Sequence, residues 1–472
     1  MSVPPLAPEA EIVTFWDITR QQFAKNRPAM AALYCVLGLI ALATAAPLIA
    51  MNVPYLMQTP EGTAWPLFGH LFDQILFPSG VDIFFNLFLI LGPFWWLGGG
   101  FAAALLGPGG LDRRRALGYG VPFALLVGLC VLWSFAVQSC YPWLLGFGLL
   151  GTLGSALQTW RMRRHTPRAR RRIRLQTRAG LGLLFAVAFI LILYPLSTTR
   201  PLVTYRTVVS QLEKRNEGWA LEPPIFFHPD NKGEESAVVN ARILKPPSLK
   251  SGNLLGTDNN GRDVFARIVY GTRISLTIGL IAVSIYTLIG LILGSLAGYF
   301  GGRLDMLIVG LLQVMLCIPW IFLLLTIIAV FDTRSIFMIM VAIGLTGWPG
   351  ITRLVRGEFF RQRSIDYVTA AVALGLPKRR IIFGHILKNS VGPVLVAVAF
   401  GVASAILAES FISFLGLGDT NAPSWGQILM QGRNQRVDWL ILSPGMAIFF
   451  VVTILNLVGD GLRDAIDPKL RQ

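Results

Sequence analysis

Long apolar runs separated by short polar links dominate this chain. Ten runs of roughly 18 to 25 residues, the length that crosses about 30 Å of hydrocarbon at about 1.5 Å per residue, fall near 30–50, 82–105, 117–137, 143–160, 179–196, 274–299, 306–330, 336–352, 391–415 and 443–461. Each predicts a membrane-spanning helix. The first run follows Lys25 and Arg27, is too long for a signal-peptide core and lacks a small-residue cleavage site, so it is expected to remain as an anchor. Ahead of it, within 1–29, Ile12, Phe15, Trp16, Thr19 and Phe23 recur at helical intervals with Asp17, Arg20 and Gln21 opposite. That spacing predicts an amphipathic helix, either lying in the inner interface or packed on the protein. Residues 197–265, with Pro223-Pro224 and Pro246-Pro247, form the one long polar stretch and are expected on the outer face.

Within the run at 274–299, Gly290, Gly294 and Gly298 recur every fourth residue. A stripe of small residues lets two helices approach closely in lipid, where apolar side chains gain little by meeting each other. Pro319, Pro349 and Pro393 lie in or at the ends of runs and are expected to kink them, since proline removes an N–H and clashes with the preceding turn.

Composition agrees with the pattern. The chain is 54% hydrophobic and 14% charged, which leaves a water-soluble fold nowhere to place its apolar surface. The net charge of +16 raises nucleic acid as a partner, but its distribution answers otherwise. With the N-terminus inside and ten spans, the inner segments collect the whole positive excess and the outer segments come out near neutral, which is the positive-inside pattern. The basic cluster from Arg161 to Arg178 is then an inner loop facing anionic lipid, and no nucleic-acid partner is expected. Cys35, Cys130, Cys140 and Cys317, and His70, His165, His228 and His385, are dispersed, so no metal site is expected; the cysteines read as small buried hydrophobes.

The inner segment 353–390 differs from the other links. It reads Asp366-Tyr367-Val368-Thr369-Ala370-Ala371-Val372-Ala373-Leu374-Gly375-Leu376-Pro377, and ends Ile386-Leu387-Lys388-Asn389. Tyr367, Ala370, Ala371 and Leu374 repeat at helical spacing and form a small, weakly apolar face. Gly375 supplies a helix stop, because glycine reaches left-handed angles without a Cβ penalty. Such a helix suits docking into a groove on another protein, although on physics alone intramembrane packing or a loop without special role serves as well.

These residues resemble the EAA loop of ABC importer permeases through Ala370, Ala371, Gly375, Ile386, Leu387 and Asn389. Thr369 stands where the motif has glutamate, and Lys388 where proline is usual. Gly256-Thr257-Asp258 with Gly261-Arg262-Asp263, then Ser413-Phe414-Leu415-Gly416-Leu417-Gly418, Pro423-Ser424-Trp425-Gly426 and Gly459-Asp460-Gly461, resemble the ordered signatures of dipeptide and oligopeptide permeases. Asn216-Glu217-Gly218-Trp219 with Pro223-Pro224-Ile225 is similar to the Yej, microcin C-importing subgroup. The resemblance covers most of 254–470, whereas 82–196 has no counterpart in the six-span family core.

The resemblance implies an all-α polytopic fold of about ten spans: a MetI-like core of six, made from 30–50 and 266–472, plus four spans inserted at 82–196. It implies a peptide permease of the bacterial inner membrane, with cytoplasmic termini and an even-numbered insertion that preserves orientation. It also implies a second homologous permease, two ABC ATPases binding ATP and Mg, and a peptide-binding protein. No Gly-x-x-x-x-Gly-Lys-Ser/Thr run is present, so no enzymatic activity and no cofactor are expected in this chain. Glu409, beside Ser413, is a candidate for the translocation path or a helix-end polar contact. The competing readings are an ion-coupled secondary transporter, which places charges near mid-membrane, and a membrane scaffold built on 82–196. Cargo stays open among peptides, nickel and glutathione.

Overall fold

The computed structural model describes residues 15–71, 73, 75–86, 88–89, 204–231, 236–330, 335–420 and 422–467. In chain order these form α1 (Phe15–Lys25), α2 (Arg27–Thr44), α3 (Ala46–Ile49), β1 (Leu56–Thr59), β2 (Gly62–Ala64) and α4 (Pro66–His70). Next come α5 (Tyr205–Arg215), β3 (Trp219–Leu221), α6 (Ser236–Asn240), α7 (Val264–Phe300), α8 (Gly302–Cys317) and α9 (Trp320–Val330). The C-terminal part comprises α10 (Ile336–Arg363), α11 (Asp366–Ala373), α12 (Lys378–Phe414, with a π segment at Ile382–Ile386), α13 (Trp425–Gln435) and α14 (Asp438–Ile466).

Five helices, α2, α7, α10, α12 and α14, are long and apolar enough to cross a membrane, and the bent pair α8–α9 makes a sixth candidate. They account for the first run and the last five. The runs at 117–137, 143–160 and 179–196 lie outside the described residues, as does most of 82–105, of which 82–86 and 88–89 are helical. The expected four-span insertion therefore lies largely outside the described residues.

Three boundaries differ from the hydropathy reading for identifiable reasons. Helix α7 begins at Val264, ahead of the apolar run, because the Asp263 carboxylate accepts the Ala266 N–H at 2.8 Å and caps a polar first turn. Helix α10 continues to Arg363, about 42 Å in all at about 1.5 Å per residue, so the segment at 353–390 is mostly helix rather than loop. The run at 306–330 is broken: Ile318 is extended (φ −88°, ψ 123°) and α8 and α9 meet at 85°. Proline disfavours the helical region for the residue before it, and Pro319 follows Ile318. At Pro349 and Pro393 the helices pass through without interruption.

The chain divides into two units, residues 41–273 and residues 1–40 with 274–467 of the described chain. The described chain is mostly helical, as expected, and the first unit adds one short element of sheet. It holds a three-stranded antiparallel sheet in the order β2-β1-β3, with Met57 opposite Ala64 and Ala220, and Gln58 opposite Thr63 and Trp219. Gly218 permits this pairing, since a Cβ there would strike the Gln58 carbonyl. Below it, Met51, Leu67, Phe77, Ile225, Phe227, Val269 and Tyr270 form an apolar core.

In the second unit, α7 lies against α10 along its glycine stripe. A Cβ at Gly290 would sit 2.6 Å from the Ile351 Cβ, one at Gly294 would sit 2.7 Å from the Val355 Cβ, and one at Gly298 would collide with Phe359. Helix α12 packs along α14, with α13 against both. Helix α1 packs on α14, where Phe23 and Ala29 meet Gly461 and Asn26 Nδ2 donates to Asp464 Oδ2 at 3.2 Å. Of the two sequence alternatives for α1, packing on the protein is the one realised. Cys35 and Cys317 are exposed on the chain's surface, contrary to the buried reading; in lipid a thiol facing acyl chains meets no polar demand. Cys130 and Cys140 lie outside the described residues.

The stripe gives a direct test. Gly294→Leu should separate α7 from α10 and cut the yield of folded protein in detergent severalfold by fluorescence size-exclusion. Gly310→Leu, at a position with nothing within 4 Å, should leave that yield unchanged.

Candidate functional site

Helix α11 hangs from the polar end of α10 by the tight turn Ser364-Ile365, in which the Ile365 N–H donates to the Gln362 carbonyl at 3.2 Å. Ile365 is extended, and Asp366 opens the helix where a carboxylate favours the exposed N–H groups. Tyr367 Oη donates to Gln362 Oε1 at 2.7 Å and ties α11 back to α10. The other end closes as a Schellman motif: Gly375 N–H donates to the Val372 carbonyl at 2.9 Å and Leu376 N–H to the Ala371 carbonyl at 3.1 Å, with Gly375 at φ +70°. A Cβ at Gly375 would meet nothing within 4 Å, so glycine is required there by backbone angle alone.

The exposed face is not the one grouped from spacing. Val368 and Ala371 are buried and seat α11, whereas Thr369, Ala370, Val372, Ala373 and Leu374 face outward, Leu374 being 80% exposed. Ala371 thus supports the helix rather than presenting a surface. Ile365, Val372, Leu374 and Phe383 are exposed apolar side chains in a segment that also exposes Lys378, Arg379 and Arg380, and grouped exposed apolar side chains mark interaction surfaces. Ile386 is fully buried, Leu387 half-buried and Asn389 exposed. With Lys388 in place of proline, its N–H is retained and α12 runs continuously from Lys378.

The signature at 256–263 lies in the other unit and folds into a buried ion cluster. Gly256 and Gly261 turn the chain at φ +77° and +69°. Asp258 Oδ1 accepts the Asn260 and Arg262 N–H groups, each at 2.9 Å, and Asp258 Oδ2 accepts from Arg262 Nε at 2.7 Å and lies 3.5 Å from Arg267 Nη1. Thr257, Asp258, Asp263 and Arg267 have no exposed surface. Further along α7, fully buried Arg273 donates to the Ala43 carbonyl at 2.7 Å, Asp82 Oδ1 at 3.0 Å and Asn86 Oδ1 at 2.9 Å. Sequence reasoning placed Arg273 in the signature Gly271-Thr272-Arg273-Ile274-Ser275-Leu276 but missed the clamp, since nothing local names its partners.

Glu409 and Ser413 sit near the end of α12 in the second unit. Glu409 is fully buried, and its Oε1 accepts from Ser413 Oγ at 2.7 Å. The following signature folds over it: Leu417 N–H donates to the Ile412 carbonyl at 3.1 Å and Gly416 N–H to Ser413 at 3.0 Å, with Gly416 at φ +82°. Ser424 Oγ then caps α13 by accepting the Gln427 N–H. Glu409 is enclosed by packed protein of its own chain near the helix end. Open space lies elsewhere in this unit, a cavity of ≈ 710 Å³ at the α8–α9 break lined by Tyr286, Pro319, Trp320, Thr346, Phe400 and Ser404. Trp320 Nε1 donates to Thr346 Oγ1 at 3.0 Å at its wall.

Five helices long and apolar enough to cross a membrane, with the bent pair as a sixth candidate, mark the chain as a polytopic membrane protein. The comparisons identify the family. Residues 290–472 match the binding-protein-dependent transport system inner membrane component, and residues 14–64 match the N-terminal transmembrane domain of oligopeptide transport permease C. The oligopeptide transport system permease protein OppC of Haemophilus influenzae is 40% identical over 229 residues, covering 48% of this chain and 73% of its own. The dipeptide transport system permease protein DppC of Alkalihalophilus pseudofirmus is 42% identical over 231 residues (48% and 75%). The inner membrane ABC transporter permease protein YejE of Escherichia coli is 35% identical over 256 residues (54% and 73%). A solved inward-facing MetNI methionine ABC transporter chain is 17% identical, with a TM-score of 0.37 over 43% of this chain and 97% of that one. The chain belongs to the family of binding-protein-dependent transport permeases of the inner membrane.

The arginine clamp supplies a second test. Arg273→Met strands Asp82 and Asn86 in the interior and should cost about 3–5 kcal/mol, the usual penalty for breaking a buried pair from one side, read as a lower melting temperature in detergent. Asp82→Asn keeps an acceptor and should cost less.

Proposed function

We propose that this chain is a transmembrane subunit of an ATP-driven importer that passes peptides inward across the bacterial inner membrane. It pairs with a second homologous permease, and two ABC ATPases that bind ATP and Mg dock on its α11 tip. A separate binding protein delivers cargo on the other face. Both termini then lie in the cytoplasm with α11, and the polar stretch at 197–265 lies outside. The relatives that align over about half of the chain carry peptide-transport names, which supports peptides as the cargo.

One observation carries the docking assignment: α11 is held firmly at its root by Val368, Ala371 and the Tyr367–Gln362 bond, while its opposite face is bare and ends on Leu374. A helix fixed on one side and unpartnered on the other transmits force to its own chain when gripped. Hydrolysis stays in the partner, and this chain contributes the surface and the lever.

The test is co-purification of the partner ABC ATPase with variants of the tip. Leu374→Glu places a charge on the bare apolar face and should reduce recovered ATPase about tenfold, equivalent to about 1.4 kcal/mol, while leaving the permease folded. Gly375→Val, which forces a β-branched residue to φ +70°, should also release the ATPase by unwinding the cap. Undiminished recovery with both variants removes α11 as the docking element.

A further inference from the structure

The helices around α11 are joined in a way that docking alone does not require. Arg356, near the end of α10, grips Asp305 in the first turn of α8 through two bonds, Nε to Oδ1 at 2.5 Å and Nη2 to Oδ2 at 2.7 Å. The two residues are 51 positions apart in sequence and both side chains are largely covered, at 30% and 16% exposure. A planar guanidinium meeting a carboxylate with two parallel bonds fixes orientation as well as distance. Arg356 also lies 4.7 Å from the Phe360 ring centroid, and Arg363 stacks on the same ring at 4.8 Å. Arg363 Nη1 reaches the terminal carbonyls of α7, Gly298 at 3.5 Å and Tyr299 at 3.4 Å. Lys378, which opens α12, sits 5.7 Å from the Phe300 ring.

These contacts meet at the turn Gly301-Gly302, where both glycines have positive φ. The Gly301 N–H donates to the Ala297 carbonyl at 3.0 Å and the Asp305 N–H to the Gly301 carbonyl at 3.3 Å, and the Asp305–Arg356 pair adds a hold on this turn from α10. Helix α7 is already fixed to α10 by the glycine stripe. Helix α8 lacks such a stripe: Met306, Leu307, Leu311 and Val314 are exposed, and Gly310 touches nothing. Its buried positions are Ile308 and Leu312, and Asp305 is its charged hold on α10. Beyond Asp305, α8 leads to the 85° break at Pro319 and the cavity wall.

We infer that the Asp305–Arg356 pair is a positioning joint that makes α8 follow the α10–α11 lever, so that movement of the tip reaches the broken helix at the cavity. This rests on the docking assigned to α11 above. Without the joint, α10 and α7 move together and α8 lags on its glycine turn.

The experiment uses the full chain assembled with its ATPase in lipid nanodiscs, with Cys35, Cys130, Cys140 and Cys317 replaced by serine. Spin labels on Leu307→Cys and Arg361→Cys, both at exposed positions, report the distance between α8 and α10, with and without ATP and vanadate. With the joint intact, the distance should be the same in both states. In Asp305→Asn it should shift on adding nucleotide by about 5 Å, the scale of a one-turn slip between helices, and the charge-swapped Asp305→Arg/Arg356→Asp should restore constancy. A merely structural role would alter the distance equally with and without nucleotide. A nucleotide-dependent shift with the joint intact overturns the inference, and that measurement needs no substitution in the pair. ATPase recovery with Leu374→Glu and Gly375→Val separates the two claims. If it is undiminished in both, docking fails and takes the source of movement with it; if it falls and the distance in Asp305→Asn stays constant, the joint alone fails.

Discussion

The contact between α7 and α10 is the one on which the arrangement of the 274–467 unit depends. Inside a bilayer the usual reward for burying apolar surface is missing, and helices associate through dispersion and polar contacts at short range. Gly290, Gly294 and Gly298 bring α7 so near α10 that a Cβ would meet Ile351, Val355 and Phe359, and at Gly294 the Thr352 carbonyl as well. Backbone meets side chain with no intervening layer. The polar end of α10, which carries α11, is thereby held in register with the turn that begins α8.

Four of the residues in the signatures, Gly375, Gly416, Asp263 and Ser424, shape helix ends. Gly375 and Gly416 close α11 and α12 with the same pair of hydrogen bonds, from the residue in the left-handed region and from the one after it. Asp263 and Ser424 open α7 and α13 by accepting N–H groups of their first turns. A helix end in or near lipid leaves unpaired carbonyls and N–H groups that water cannot reach, so each end needs a local device. The arginines of α7 solve a related problem: Arg267 and Arg273 are fully buried, and each sits among carboxylates or carbonyls that offset its desolvation.

Hydropathy located all six candidate spans among the described residues, and spacing identified the glycine stripe, the α11 helix and its stop. These depend on local pattern, which a single sequence carries. Three things were not legible. The β1–β3 pairing joins residues separated by about 160 positions, through short strands with no run of alternation to announce them. The inward face of α11 was misassigned because Ala370 and Ala371 are equally small, and only the position of α10 decides which is covered. The partners of Arg273 and Arg356 come from distant segments, Asp82 and Asp305, and a charge near the end of an apolar run reads the same whether it is clamped or solvated.

The departure at Lys388 acquires a physical meaning in this setting. Proline there would remove a backbone N–H and clash with the preceding turn, placing a bend near the start of the span. With lysine, α12 continues for 37 residues from Lys378 to Phe414, about 55 Å at about 1.5 Å per residue. Its one irregularity is the π segment at Ile382–Ile386, where an extra residue widens the helix without breaking it. One end of this rod carries Lys378 against Phe300, and the other carries Glu409 and Ser413 under the closing turn before α13. Lys378 and the Glu409–Ser413 contact thus lie on one unbroken helix, whose π segment and Pro393 are the kinds of position at which helices bend. The run at 306–330 is instead interrupted outright, at Pro319 beside the cavity, where α8 and α9 meet at 85°.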